Sequence, residues 1–142
     1  MTDRLSHTYA AALQHDLASV SDDATLVGVV RRPPGWFRGV VDENLPSLGP
    51  PDALLDEFDR EAEAFELDGL CEEGAHNAAW DAVDFEARYR AHLAESPAAR
   101  EALADLVARL EDGESVTLVC FENTAKKRCH RTILVDVVES RL

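Results

Sequence analysis

Cys129-His130-Arg131 sets a thiol, an imidazole and a guanidinium on consecutive residues, with Lys126, Lys127 and Arg128 just before them and Cys120 and Glu122 further back. These types suit nucleophilic and acid–base chemistry on an anion. A cysteine beside Lys, Arg or a helix amino end loses its proton more readily, and the thiolate is the reacting form. Glu122 or His130 can carry protons. Arg131, Lys127 and a second basic group, Arg31-Arg32 with Arg38 beyond it, can hold phosphate oxygens, arginine as a two-pronged donor. Trp36-Phe37 stands between Arg32 and Arg38 and can stack a base. Plainer readings stand beside these. Cys120 reads best as a small core residue, and Cys129 either reacts or packs inward. Adjacent helical residues point about 100° apart, so His130 need not meet Cys129. The basic residues can pair with nearby acids, and Trp36-Phe37 reads first as an apolar plug closing its loop.

Two strands must position these groups. Thr25 to Val30 and Ser115 to Phe121 are short apolar runs bounded by turn residues, the pattern of strands buried on both faces. Half of the 14 basic residues fall in the two segments that directly follow them. If the strands are parallel neighbours, both clusters meet at the carboxyl ends, where open α/β sheets bind ligands. Arg31 and Arg131 are then expected to face one cleft, with Glu122 pairing one of them.

Leu5, Tyr9, Leu13 and Leu17 recur every four residues, which predicts a helix within residues 1–22. Arg31 to Pro51 holds five of the six prolines and reads as a loop. Helices are expected from Asp52 to about Phe65, over Phe85–Glu95 and from Pro97 to Leu110, with a short strand over Leu67–Cys71. Ile133, Leu134, Val137 and Val138 give a C-terminal helix its apolar face. The fold class is α/β: a small, mostly parallel sheet flanked by helices, one layered domain over 1–142.

Acidic residues number 28 against 14 basic, a formal net charge of −14, and Lys126 and Lys127 are the only lysines. Short carboxylates hydrate well, so this surface suits molar salt, which screens the self-repulsion. The same charge repels a polynucleotide from the surface at large. The expected partner is an anionic small molecule or a local nucleic-acid segment. No apolar run is long enough to span a bilayer and no leader pattern is visible, so no membrane partner and a cytoplasmic location are expected. Three cysteines without an export signal argue against a disulfide framework. Cys71, His76, Cys120 and Cys129 lack a CxxC pair, so no metal and no cofactor are expected.

Val27-Gly28-Val29-Val30-Arg31-Arg32-Pro33, and Leu118-Val119-Cys120-Phe121-Glu122 followed by Cys129-His130-Arg131, resemble the two signature blocks of the domain of unknown function 488 family. Phe85-Glu86-Ala87-Arg88-Tyr89 is similar to its middle region. The resemblance covers roughly residues 25–142, and the acid excess makes the chain similar to a haloarchaeal-type member. It implies a strand–loop–helix site around Cys120, Glu122, Cys129, His130 and Arg131, with no agreed reaction. Cys120 with Lys126 is also similar to the strand–Cys–loop–helix of thiol phosphatases and rhodaneses, except that the loop lacks glycine and has lysine where they need arginine.

Two functions follow. One is an enzyme on a phosphate-bearing or nucleotide-like substrate, with Glu122, Cys129 and His130 catalytic, Arg31, Arg32, Lys127 and Arg131 binding the anion, and Cys120 and Trp36 in support. The other is a non-catalytic anion- or nucleic-acid-binding module.

Overall fold

The apolar runs at 25–30 and 115–121 build the centre of the fold. In a computed structural model, which describes residues 4–15, 23–121 and 127–142, the sheet has four parallel strands in the order β1-β4-β2-β3. They are β1 (Leu5–Tyr9), β2 (Thr25–Gly28), β3 (Glu43–Asn44) and β4 (Val116–Cys120). β4 lies between β1 and β2, with Val116 opposite both Leu5 and Thr25. All five of its residues are buried. That is why it reads as an unbroken apolar run rather than an alternating one.

Among the described residues, six α-helices accompany the sheet: α1 (Ala10–Gln14), α2 (Asp52–Leu67), α3 (Glu72–Ala82), α4 (Phe85–Glu95), α5 (Pro97–Glu111) and α6 (His130–Ser140). Local signals explain their limits. Ser96 Oγ accepts from the Ala99 amide and Pro97 opens α5, a capped start with proline at its first position. Leu103, Leu106 and Leu110 bury the inner face of α5, and Ile133, Leu134 and Val138 do so for α6. The layered α/β architecture expected from the sequence is the one observed.

Three local expectations are corrected. The first segment is not helical throughout: Leu5–Tyr9 is a strand and only Ala10–Gln14 is helix, while 16–22 lie outside the described residues. Spacing of four fits a strand's even positions as well as a helix face. Pairing with β4 decides the matter, because it also gives Ser6 Oγ a partner in Thr117 Oγ1 at 2.8 Å. Leu67–Cys71 is not a strand: Leu67 ends α2, Gly69 in the turn after it takes φ +103°, open to glycine, and Cys71 Sγ accepts from the Gly74 amide to start α3. The loop after β2 carries the short strand β3. Asn44 there accepts from the Val30 amide at 3.1 Å and donates to the Val30 carbonyl at 2.9 Å, imitating a further strand residue.

Candidate functional site

The carboxyl ends of β2 and β4 open into a cleft of about 250 Å³. Its floor is Cys120, Cys129 and His130. One wall is aromatic, with Trp80 stacked on Phe85 at 4.0 Å and Phe58 edge-on to Phe85. Arg31, Arg32 and Arg128 stand on the rim with Asp59 and His76. Arg31 and Arg32, which follow β2, and Phe121 and Arg128, which flank the segment after β4, therefore line one cleft.

Cys129 is the residue before α6 and its backbone is extended, φ −142° and ψ 146°. That geometry, not a helical one, lets its side chain lie along the next residue. Cys129 Sγ is 3.6 Å from His130 Nδ1. The other ring nitrogen, Nε2, donates to the Val29 carbonyl at 2.6 Å. A neutral His130 therefore keeps its proton on Nε2 and presents Nδ1 to the thiol as an acceptor. Tyr89 packs edge-on against the ring and donates to the Leu48 carbonyl at 2.6 Å, fixing the ring's far side.

Cys120 Sγ lies 2.7 Å from Cys129 Sγ. Burial pushes the Cys120 thiol well above its usual range. The hydrogen bond and charge of Cys129 push it further, while His130 and Arg131 pull it down. The Cys120 thiol is thus held in its protonated form, within reach of Cys129 Sγ.

Arg31 and Arg131 do not share the cleft. Arg131 is 2% exposed and does not line it. Its Nε donates to His7 Nδ1 at 2.9 Å, and its Nη1 donates to the Thr8 carbonyl at 2.7 Å and to Cys120 Sγ at 3.2 Å. It is a buried brace between α6, β1 and the end of β4, not a rim charge. Arg31 does line the cleft. Its Nε donates to the Pro50 carbonyl at 3.0 Å and its Nη2 to the Gly49 carbonyl at 3.2 Å. Nη2 also faces His92 Nε2 at 3.3 Å, but that nitrogen already donates to the Ser47 carbonyl. Arg31 is thus held by neutral oxygens that aim it without cancelling its charge.

The other expected cations carry carboxylate partners. Arg32 bonds Asp52 and Asp56, and Lys127 bonds Glu72. Glu122, with Lys126, lies outside the described residues. Trp36 is 52% exposed, while Phe37 behind it is fully buried, so only the second is the plug. Both rings touch Phe121, which lines the cleft. Cys71 is exposed at the start of α3 and does not line the cleft. Among the described residues, no three His, Cys, Asp or Glu side chains form a group that could hold a metal ion.

Sequence reasoning missed Asp59 and His7, and weighed His76 only as a metal ligand. Asp59 and His76 lie on α2 and α3, whose approach to the cleft shows only in the fold; burial raises the Asp59 carboxyl above its usual range. His7 was hidden by the helical reading of its segment. Burial, then the charge of Arg131, hold its pKa below the usual 6.5, while Glu139 opposes them. The unfolded chain therefore binds the proton more tightly than the folded one. The contribution of neutral His7 is complete above about 6.5 and is lost as pH falls below it. Between about pH 7.5 and about pH 5.5 the wild-type thermal midpoint should drop further than that of His7→Gln, whose amide oxygen still accepts from Arg131. Equal drops would remove His7 from the network.

Parallel strands, with a cleft at their carboxyl ends and a cysteine–histidine pair on its floor, define an α/β domain of the open-sheet class. The family described as the active DUF488-N3 subclade matches residues 10–142, and the chain belongs to it. The match reaches further towards the amino end than the blocks at 25–142. No curated protein and no solved structure matches the chain. Among the described residues, no helix is long and apolar enough to cross a membrane.

Proposed function

We propose that the protein is an enzyme that uses Cys129 as nucleophile on a small phosphate-bearing substrate. The observation that carries this is Cys129 Sγ set between Cys120 Sγ at 2.7 Å and His130 Nδ1 at 3.6 Å, with the second nitrogen of His130 committed to Val29. A thiol–imidazole pair with an oriented base is the arrangement that activates a nucleophile. His130 Nδ1 takes the Cys129 proton and Cys120 donates to the resulting thiolate. The thiolate attacks phosphorus, an S–P bond forms, and the P–O bond to the leaving group breaks. The leaving oxygen takes the proton from His130. Water, deprotonated by His130, then cleaves the S–P bond and releases phosphate, and the thiolate regains its proton. Arg31 holds the non-bridging oxygens. The aromatic wall, with Trp36 and Phe121 at the mouth, suits a flat ring on the leaving group, as a nucleotide-like substrate has. The family's description as active agrees with a reacting site.

The non-catalytic binding module finds support in the exposed Trp36, but Arg32 beside it is occupied by two carboxylates. The test separates the readings. Wild type should release p-nitrophenol from p-nitrophenyl phosphate, and Cys129→Ser should lose turnover by about 100-fold or more. Inorganic phosphate should raise the wild-type thermal midpoint relative to chloride at matched ionic strength, and Arg31→Ala should abolish that rise. Turnover unchanged in Cys129→Ser removes the nucleophile. A phosphate effect without turnover in any form favours the binding module.

A further inference from the structure

We propose that Cys120 and Cys129 form a reversible disulfide on the floor of the cleft, closed by hydroperoxides and reopened by dithiols. Their sulfurs lie 2.7 Å apart, inside van der Waals contact and short of a covalent bond of about 2.05 Å. Two independent elements hold them there. Cys120 ends β4, which is paired on both edges, and Cys129 precedes α6, which Arg131 ties to β1. The nine-residue separation is already closed in the folded chain, so bond formation adds little ordering cost. Both sulfurs line an open cleft, which a molecule as small as a peroxide can enter.

The order of events follows from the surroundings of the two sulfurs, since Cys129 Sγ has His130 Nδ1 3.6 Å away. Cys120 is the deeper and harder to ionise, so Cys129, beside His130 and the amino end of α6, reacts first. Its thiolate attacks one peroxide oxygen, the O–O bond breaks, and the departing hydroxide leaves as water, with His130 returning the proton. Cys129 is now a sulfenic acid. Cys120 Sγ attacks that sulfur, the S–O bond breaks, and the departing hydroxide takes the Cys120 proton and leaves as water. Two thiols and one hydroperoxide yield one disulfide, one water and one water or alcohol. A dithiol reverses the step by exchange and is itself oxidised to a disulfide. Closure removes the thiolate that the proposed phosphoryl chemistry needs and the thiol that Arg131 contacts.

The exposed Cys71 would confuse a thiol count, so the test uses the full chain carrying Cys71→Ser, a substitution that keeps an oxygen to cap α3. The protein is treated with hydrogen peroxide, unfolded in excess iodoacetamide and cut with trypsin. Lys126, Lys127 and Arg128 lie between the two cysteines, so the cut leaves their peptides joined only if a disulfide joins them. The expected result is no alkylated cysteine and a joined peptide pair lighter than the sum of its parts by two hydrogens, with dithiothreitol restoring two alkylated sites. Retention of both sites after peroxide would overturn the proposal, as would Cys129 oxidised to sulfinic acid beside a still alkylated Cys120. The count is independent of phosphate binding, so the disulfide and the phosphate chemistry can fail separately.

Discussion

Arg131→Ala should lower the free energy of unfolding by about 3 kcal/mol, a loss fitting a core residue rather than a rim charge. The guanidinium is 2% exposed and donates to the Thr8 carbonyl, His7 Nδ1 and Cys120 Sγ. Alanine leaves a void where the side chain packed and strips donors from β1. An unpaired buried acceptor alone costs about 1–3 kcal/mol. Lysine should recover only part of the loss, because an ammonium's donors share one nitrogen, whereas Arg131 reaches His7 through Nε and Thr8 and Cys120 through Nη1. Urea unfolding at unchanged slope reads the effect directly. A loss below about 1 kcal/mol would mean that the brace carries no weight.

Gly49→Ala should cost about 2 kcal/mol and also abolish the phosphate-dependent rise in thermal midpoint. A methyl group there would sit 2.4 Å from the Arg31 amide nitrogen and 2.9 Å from its Cα. These are backbone atoms, so no side chain can swing aside to make room. The conformation of Gly49 is one any residue adopts, φ −76° and ψ 162°, so the cost is purely of space. The displaced segment is the seat of Arg31, whose Nε and Nη2 donate to Pro50 and Gly49. Stability and anion binding should therefore fall together, whereas Arg31→Ala should remove the binding with little effect on the midpoint in chloride. A Gly49→Ala protein with an unchanged midpoint would show that the loop has slack.

The centre of the fold was legible because central parallel strands leave a mark that depends only on themselves. Thr25–Val30 and Ser115–Phe121 are apolar on both faces, and as parallel neighbours they bring Arg31, Arg32 and Arg128 to one cleft. What escaped depends on partners far away in the chain. β1 is a strand because of Val116–Cys120, and Arg131 is buried because of His7 and Thr8, 124 and 123 residues earlier. A charge bonded across such a distance is indistinguishable in sequence from one facing water. α3 was missed because its buried face is Ala75, Ala79 and Trp80, too slight an apolar stripe to announce a helix. The Cys129–His130 contact was discounted on helical geometry, and it exists because Cys129 stands one residue outside the helix.

The strand order also governs when the molecule can assemble. β4 occupies an inner position of the sheet and is the last of the described strands to be synthesised, yet it is the one to which β1 and β2 both pair. A nascent chain ending before Val116 therefore leaves β1 without its partner and β2 paired to the two-residue β3 alone. Contacts of such long sequence separation slow folding, since the chain must close a large loop before any of them forms. Cys120 is the final residue of that strand and Cys129 opens the last helix. The reactive floor is thus completed by the same late event that completes the sheet, and no shorter folded intermediate can carry it.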